Sequence, residues 1–203
     1  MALEIIGIPQ SNFVRTVRMA AQEKGVDYEL VPEPPHSAPV KSIHPFGLVP
    51  VMRHDGLALA ESQAIARYID TAFDGPALIP TEPRAAAPVN QWMSLVASAV
   101  DQLIMRRYVV QYIFNKDADG NVVRTEIDQA VKRFPRLFEK LANAVGDGHL
   151  AGPDFSMADC FLVPMLAALQ RFPEGEAQFE DSTAVKDYFY RVAERPSFAA
   201  TAP

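Results

Sequence analysis

His44-Pro-Phe-Gly-Leu-Val-Pro-Val-Met-Arg-His-Asp-Gly-Leu-Ala-Leu-Ala-Glu-Ser-Gln-Ala-Ile-Ala-Arg-Tyr-Ile-Asp70 combines several structural instructions in one short run. Val49-Pro50 reads as a cis peptide at the start of a strand, because X-Pro is the one bond for which cis is affordable. Val51–Arg53 and Leu57–Ala60 read as paired strands turning about His54-Asp55-Gly56, since Asp-Gly favours tight hairpin turns. Glu61-Ser62 then sets an acid and a hydroxyl where a helix begins, and Ala64–Ile69 supply its apolar face. A helix start carries unpaired N–H groups and partial positive charge, which suits an anion. The stretch therefore offers backbone to a peptide-like ligand and a helix end to a carboxylate. A plain hairpin running into a helix has the same spacing.

Working towards the N-terminus, Pro32–Pro50 holds six prolines and reads as an irregular surface segment with one helical turn near 38–43. Before it, Leu3–Ile8 and Val26–Val31 read as strands flanking a helix over Phe13–Lys24. In that helix Val14, Val17 and Ala21 share one face, and Arg15, Arg18 and Gln22 point elsewhere. Ser11 or Asn12 suits its N-cap and Gly25 its end. Strand, helix, strand at this spacing implies a parallel crossover. With the hairpin it predicts an α/β layer with a four-stranded mixed sheet over residues 1–75.

Working towards the C-terminus, 76–83 reads as a linker and 84–203 as all-helical, with about five helices. Ala85–Phe114 is a long helix that bends or splits around 106–114. Asp117, Asp119 and Asn121 lack the closing glutamate of a calcium loop and read as a turn. Val123–Val145 is a helix kinked at Pro135. Ser156 and Asp159 have capping-box spacing, opening an apolar helix through Leu169. Val185–Ala193 is a further helix, and Pro196 begins a frayed tail.

Composition sets the remaining bounds. The 203 residues carry a net charge of −6, with 49% hydrophobic and 22% charged side chains. Residues 1–75 hold 6 basic and 9 acidic groups and the remainder 13 and 16, so no basic surplus favours nucleic acid. The lone Cys160 excludes an intrachain disulfide and a cysteine metal site, and reads as an inert buried thiol. No signal peptide or apolar run of membrane-spanning length is seen, so the expected location is cytoplasmic.

Pro45-Phe-Gly-Leu-Val-Pro50, Glu61-Ser-Gln-Ala-Ile65, Gly152–Asp159, and Ser11 with Arg15, Val17, Arg18 and Glu23-Lys24-Gly25 fall in one register along the chain. In these features the sequence resembles the cytosolic glutathione S-transferases, specifically the serine-type, phi- or theta-like bacterial members. The resemblance implies a thioredoxin-like N-terminal domain that binds glutathione as co-substrate, with no permanent cofactor or metal. It implies a helical domain contributing the pocket for a small hydrophobic electrophile, a homodimer, and a role in detoxification. Val49 would offer its backbone N–H and C=O to the cysteinyl part of glutathione, aimed by a cis bond at Pro50. Glu61 would meet the γ-glutamyl amine and Ser62 the adjoining carboxylate. Ser11 would stabilise the thiolate, with Asn12 as rival. His36, or its rival Lys41, would meet the glycyl carboxylate. Asp101 would reach across the dimer, and Arg106 and Arg107 would line the electrophile pocket.

The chain also departs from that family pattern. No tyrosine precedes Tyr28 and no cysteine lies near position 11, which disfavours the tyrosine- and cysteine-type members. Leu48 replaces a common Gln, and His44 a common Asn. Glutathione-dependent reduction, peroxidation or isomerisation on the same site, and a non-catalytic binder, are the competing functions.

Overall fold

β1 (Leu3–Ile6), α1 (Asn12–Glu23) and β2 (Tyr28–Val31) form the parallel crossover, with Leu3 opposite Tyr28 and Ile6 opposite Val31. The structure, a computed structural model, describes residues 2–203. After α2 (Ala38–Lys41), β3 (Val51–His54) pairs antiparallel with β1 and with β4 (Leu57–Ala60), giving the strand order β2-β1-β3-β4. Asp55 (φ 46°) and Gly56 (φ 83°) make the turn with two positive φ values, as a type I′ hairpin requires.

The central strands β1 and β3 carry buried side chains on both faces of the sheet. Ile6 and its partner Val51 cluster with Val40 of α2. Leu3, Ile5 and Met52 alternate to the opposite face and are equally buried. α1 and α3 (Ser62–Ala72), packed on each other and on β1 and β3, cover that side.

The chain divides into two compact units. One runs to Ala87 and takes back Ala193–Pro203; the other is Pro88–Val192. The expected division at 76–83 leaves the C-terminal residues with the helices, but they fold onto the first unit. The expected frayed tail is in fact α11 (Pro196–Ala200), with Ser197 and Thr201 buried. Its anchors are the arginines expected to point away from the core. Arg15 donates to the Phe198 carbonyl (2.9 Å), with its guanidinium over the Phe198 ring, and Arg18 donates to the carbonyls of Ala200 and Thr201. Burial, aided by the Arg18 charge, pulls Arg15 down to about 10, so it stays charged at neutral pH. Glu23 accepts from Arg195 and Ser197.

The linker is also tied down. Asp70 accepts from the N–H groups of Leu78 (2.8 Å) and Ile79 (3.0 Å), while Lys24 Nζ reaches Asp70 and the Gly75 carbonyl.

α4 (Pro83–Leu95) begins in the first unit and from Pro88 belongs to the second, where it continues through Val96–Val100 and Gln102–Val109 into α5 (Val110–Phe114). The two middle stretches take the wider i→i−5 hydrogen-bond register of a π-helix. The expected single helix over 123–145 is two, α6 (Thr125–Val131) and α7 (Phe134–Val145). Pro135 does not kink a helix but sits in the first turn of α7, where its missing N–H costs nothing. α8 (Met157–Leu169) is buried on nearly every side and α10 spans Thr183–Ala193. Between them lies α9 (Pro173–Glu180), which the apolar periodicity does not reveal. Its Glu174 accepts from the Tyr108 and Tyr112 hydroxyls and pairs with Arg124.

Asp159 does more than cap α8. Its Oδ2 accepts from the Ser156 N–H (2.7 Å) and hydroxyl (3.1 Å). Its Oδ1 accepts from the Leu150 N–H (2.9 Å) and the buried Tyr188 hydroxyl (2.8 Å). Among the described residues no helix is long and apolar enough to cross a membrane.

Candidate active site

Sheet geometry gathers the predicted residues of the first unit at one end of the strands. β1 and β2 run parallel, so the chain leaves both at the same end of the sheet. β3 enters and β4 exits there too, because Ile6 pairs with Val51 and Val51 with Ala60. Ser11 follows β1, His36 follows β2, Val49 precedes β3, and Glu61 and Ser62 follow β4. Gly7 tightens the cluster: a Cβ there would lie 2.5 Å from Val14 Cγ2 and 3.0 Å from Val49 Cβ.

The Val49–Pro50 bond is cis. Val49 stands outside the ladder, and among the described residues its N–H and C=O meet no other backbone group. Glu61 adopts φ 73° and ψ 119°, turning β4 into α3 within one residue. A non-glycine residue held there stores about 1–3 kcal/mol, the kind of strain that accumulates at ligand sites. Its side chain is 72% exposed, and its carboxylate lies 3.2 Å from Nε2 of the buried His44. Ser62 is buried at the first position of α3, and the first intrahelical bond runs from the Ile65 N–H to the Glu61 carbonyl (2.9 Å). Among the described residues no side chain caps this end, which leaves the leading N–H groups open to an anion. An exposed carboxylate beside an uncapped helix N-terminus complements the ammonium and carboxylate of an amino-acid head group.

Ser11 caps α1, and its Oγ accepts from the Val14 N–H at 3.4 Å. That bond uses a lone pair and leaves the hydroxyl hydrogen to donate. Asn12 differs: its Nδ2 is sealed from solvent and has no hydrogen-bond partner among the described residues. His36 is exposed at φ 67°, and its N–H donates to the Gly47 carbonyl at 2.7 Å. Gly47 (φ 69°) is confined by it, since a Cβ there would lie 2.6 Å from the His36 Nδ1. Lys41 is exposed at the end of α2.

Asp101, Arg106 and Arg107 belong to the second unit, on or beside its π-helical stretches. Asp101 is buried and accepts from Arg106 Nε at 3.0 Å, so these two are one ion pair. Arg107 lies 3.9 Å from Glu126. Among the described residues no group of three or more His, Cys, Asp or Glu is placed to hold a metal ion. The residue that sequence reasoning undervalued is His44. It stands out in sequence only as a substitution, and its contact with Glu61 depends on burial that no local pattern signals.

Residues 5–77 match the family described as glutathione S-transferase, N-terminal domain, and residues 124–191 the corresponding C-terminal domain family. The chain belongs to the glutathione S-transferase family. Glutathione S-transferase Z1 of Arabidopsis thaliana is 30% identical over 84% of this chain and 79% of its own. Maleylacetoacetate isomerase of Rattus norvegicus is 27% identical over 77% of this chain and 73% of its own. The crystal structure of glutathione transferase F7 from Populus trichocarpa superimposes with a TM-score of 0.87 at 27% identity, covering 98% of this chain and 97% of that one. The family's four-stranded mixed sheet and helical second domain are both present here.

Proposed function

We propose that this transferase conjugates the glutathione thiolate to a small hydrophobic electrophile, with Ser11 as the activating residue. The observation that carries the reading is the convergence of Ser11, Val49, Glu61 and Ser62 on one end of the strands, each with a polar group that is uncommitted among the described residues. Glu61 takes the γ-glutamyl ammonium, and Ser62 with the N–H groups of α3 takes the neighbouring carboxylate. Val49 pairs with the cysteinyl backbone as an added strand. His36, with Lys41 as rival, takes the glycyl carboxylate. The thiol beside Ser11 releases its proton to solvent, and the Ser11 hydroxyl donates to the thiolate. The sulfur lone pair forms the new S–C bond while the electrophile's leaving group departs with its bonding pair. Arg106 and Arg107 are proposed to line the electrophile pocket, and Asp101 to act across a homodimer. The setting is cytoplasmic and the role detoxification.

Calorimetric titration with glutathione and a conjugation assay with a chloronitroaromatic test this reading. Saturable binding with adduct formation is expected, and Glu61→Ala should weaken binding roughly tenfold, the loss of one charge-assisted contact. A chain that neither binds nor consumes glutathione is a non-catalytic member and overturns the proposal.

A second reading is favoured by the likeness to a protein named maleylacetoacetate isomerase. On the same site the thiolate adds to a conjugated double bond, the bond rotates, and the thiolate is expelled. Isomer would then form while total free thiol stays constant, whereas conjugation consumes one thiol per turnover.

A further inference from the structure

We infer that His44 is a positioning residue that aims the Glu61 carboxylate at the ligand's ammonium group; this rests on the reading of Glu61 given above. Glu61 is mostly exposed and holds a backbone conformation unusual for its type, so packing around its own side chain does little to fix the carboxylate. Among the described residues the one side chain that meets it is His44. His44 is a rigid support. Its side chain is 3% exposed, its N–H donates to the Val40 carbonyl at 2.8 Å, and its carbonyl accepts from the Gly47 N–H at 3.0 Å.

The ring's chemistry is also set. Nδ1 accepts from the Phe46 N–H at 3.0 Å, so in the neutral ring the hydrogen resides on Nε2. Nε2 is the atom 3.2 Å from Glu61 Oε1. Nε2 is therefore the ring atom in ion-pair contact with one carboxylate oxygen, and Oε2 is left for the ammonium. Fixing a partner's orientation by a buried hydrogen-bonded ring raises affinity for one ligand group without touching the ligand.

Two isosteric changes separate the ring's two nitrogens. His44→Asn keeps an acceptor where Nδ1 meets the Phe46 N–H and loses the donor to Glu61. His44→Gln keeps a donor reaching Glu61 and loses the acceptor. The readout is the ratio of affinities for glutathione and for its analogue lacking the γ-glutamyl amine. The wild type should prefer the amine. His44→Asn should shrink that preference several-fold, less than the roughly tenfold loss expected of Glu61→Ala, with affinity for the deamino analogue unchanged. His44→Gln should retain the preference. Equal weakening toward both ligands in His44→Asn marks a merely structural role and overturns the inference, as does an undiminished preference.

If His44→Asn does not fold, ¹⁵N spectroscopy of the wild-type ring decides. A ring protonated at Nε2 whose resonance separates glutathione from the deamino analogue supports the role, and an indifferent ring overturns it. A wild type that binds glutathione without preferring the amine overturns the inference through Glu61 and leaves the rest of the site standing. Absence of any glutathione binding instead overturns the reading of the whole site.

Discussion

At the scale of single residues, the two candidates for thiol activation are separated by what their side chains have left to give. Ser11 accepts from Val14 and retains a hydroxyl hydrogen, whereas the amide nitrogen of Asn12 is closed off from solvent. Ser11→Ala should lower conjugation by about 10²–10³, as for removal of one donor from a developing or resident anion. It should leave glutathione affinity within a few-fold, with the bound thiol titrating about 1–2 pH units higher. Stopped-flow thiolate absorbance against pH reads both quantities. Full activity in Ser11→Ala with an inactive Asn12→Ala would transfer the role to Asn12. The serine, the Val-Pro bond and the Glu-Ser pair are legible in sequence because each is a residue type at the boundary of an element. The orientation of Asn12 and the contact of His44 with Glu61 are not, because they depend on which atoms packing leaves open.

At the scale of elements, local chemistry is strong where residues three or four apart decide the outcome. The Asp55-Gly56 hairpin and the Ser156–Asp159 cap both follow that rule. The same reasoning places Pro135 inside a helix and misses the break before it, since a proline suits a first turn as well as it kinks an interior. The cap also understates Asp159, whose second oxygen serves Leu150 and Tyr188 from well outside the turn. Burial, helped by the neighbouring Asp159 carboxylate, holds the Tyr188 hydroxyl well above its ordinary range, so it stays protonated and donates to Asp159. Asp159→Ala should cost roughly 3–5 kcal/mol, because it strands buried donors on three segments at once. Ser156→Ala, which removes a hydroxyl that Asp159 accepts, should cost about 1 kcal/mol. Urea unfolding of the two variants tests the difference. Equal losses would reduce Asp159 to an ordinary helix cap.

At the scale of the whole molecule, the order of strands and helices is readable from periodicity, but the return of the chain's end to its first unit is not. Arg15 and Phe198 are 183 positions apart, and no window of sequence joins them. Apolar patterning assigns arginines to solvent, whereas here backbone carbonyls of the tail supply their hydrogen bonds and make burial tolerable. Glu23 carries the pH dependence of this closure. Burial alone would raise its pKa, but hydrogen bonds from Arg195 and Ser197 and the Arg195 charge prevail and hold it below the ordinary value of 4.5. A carboxylate depressed in the folded state binds fewer protons there than in the unfolded chain. Its contribution is therefore complete above 4.5 and declines as pH falls through the lowered folded value. Glu23→Gln should cost about 2 kcal/mol at neutral pH, the scale of charge-assisted hydrogen bonds. The gap to wild type should close as the solution is acidified below pH 4.5. Proteolysis of the C-terminal segment should follow the same curve, with the wild-type tail becoming as susceptible as that of Glu23→Gln in acid. A stability gap that is independent of pH would assign the effect of the substitution to packing and remove Glu23 as the titrating clasp.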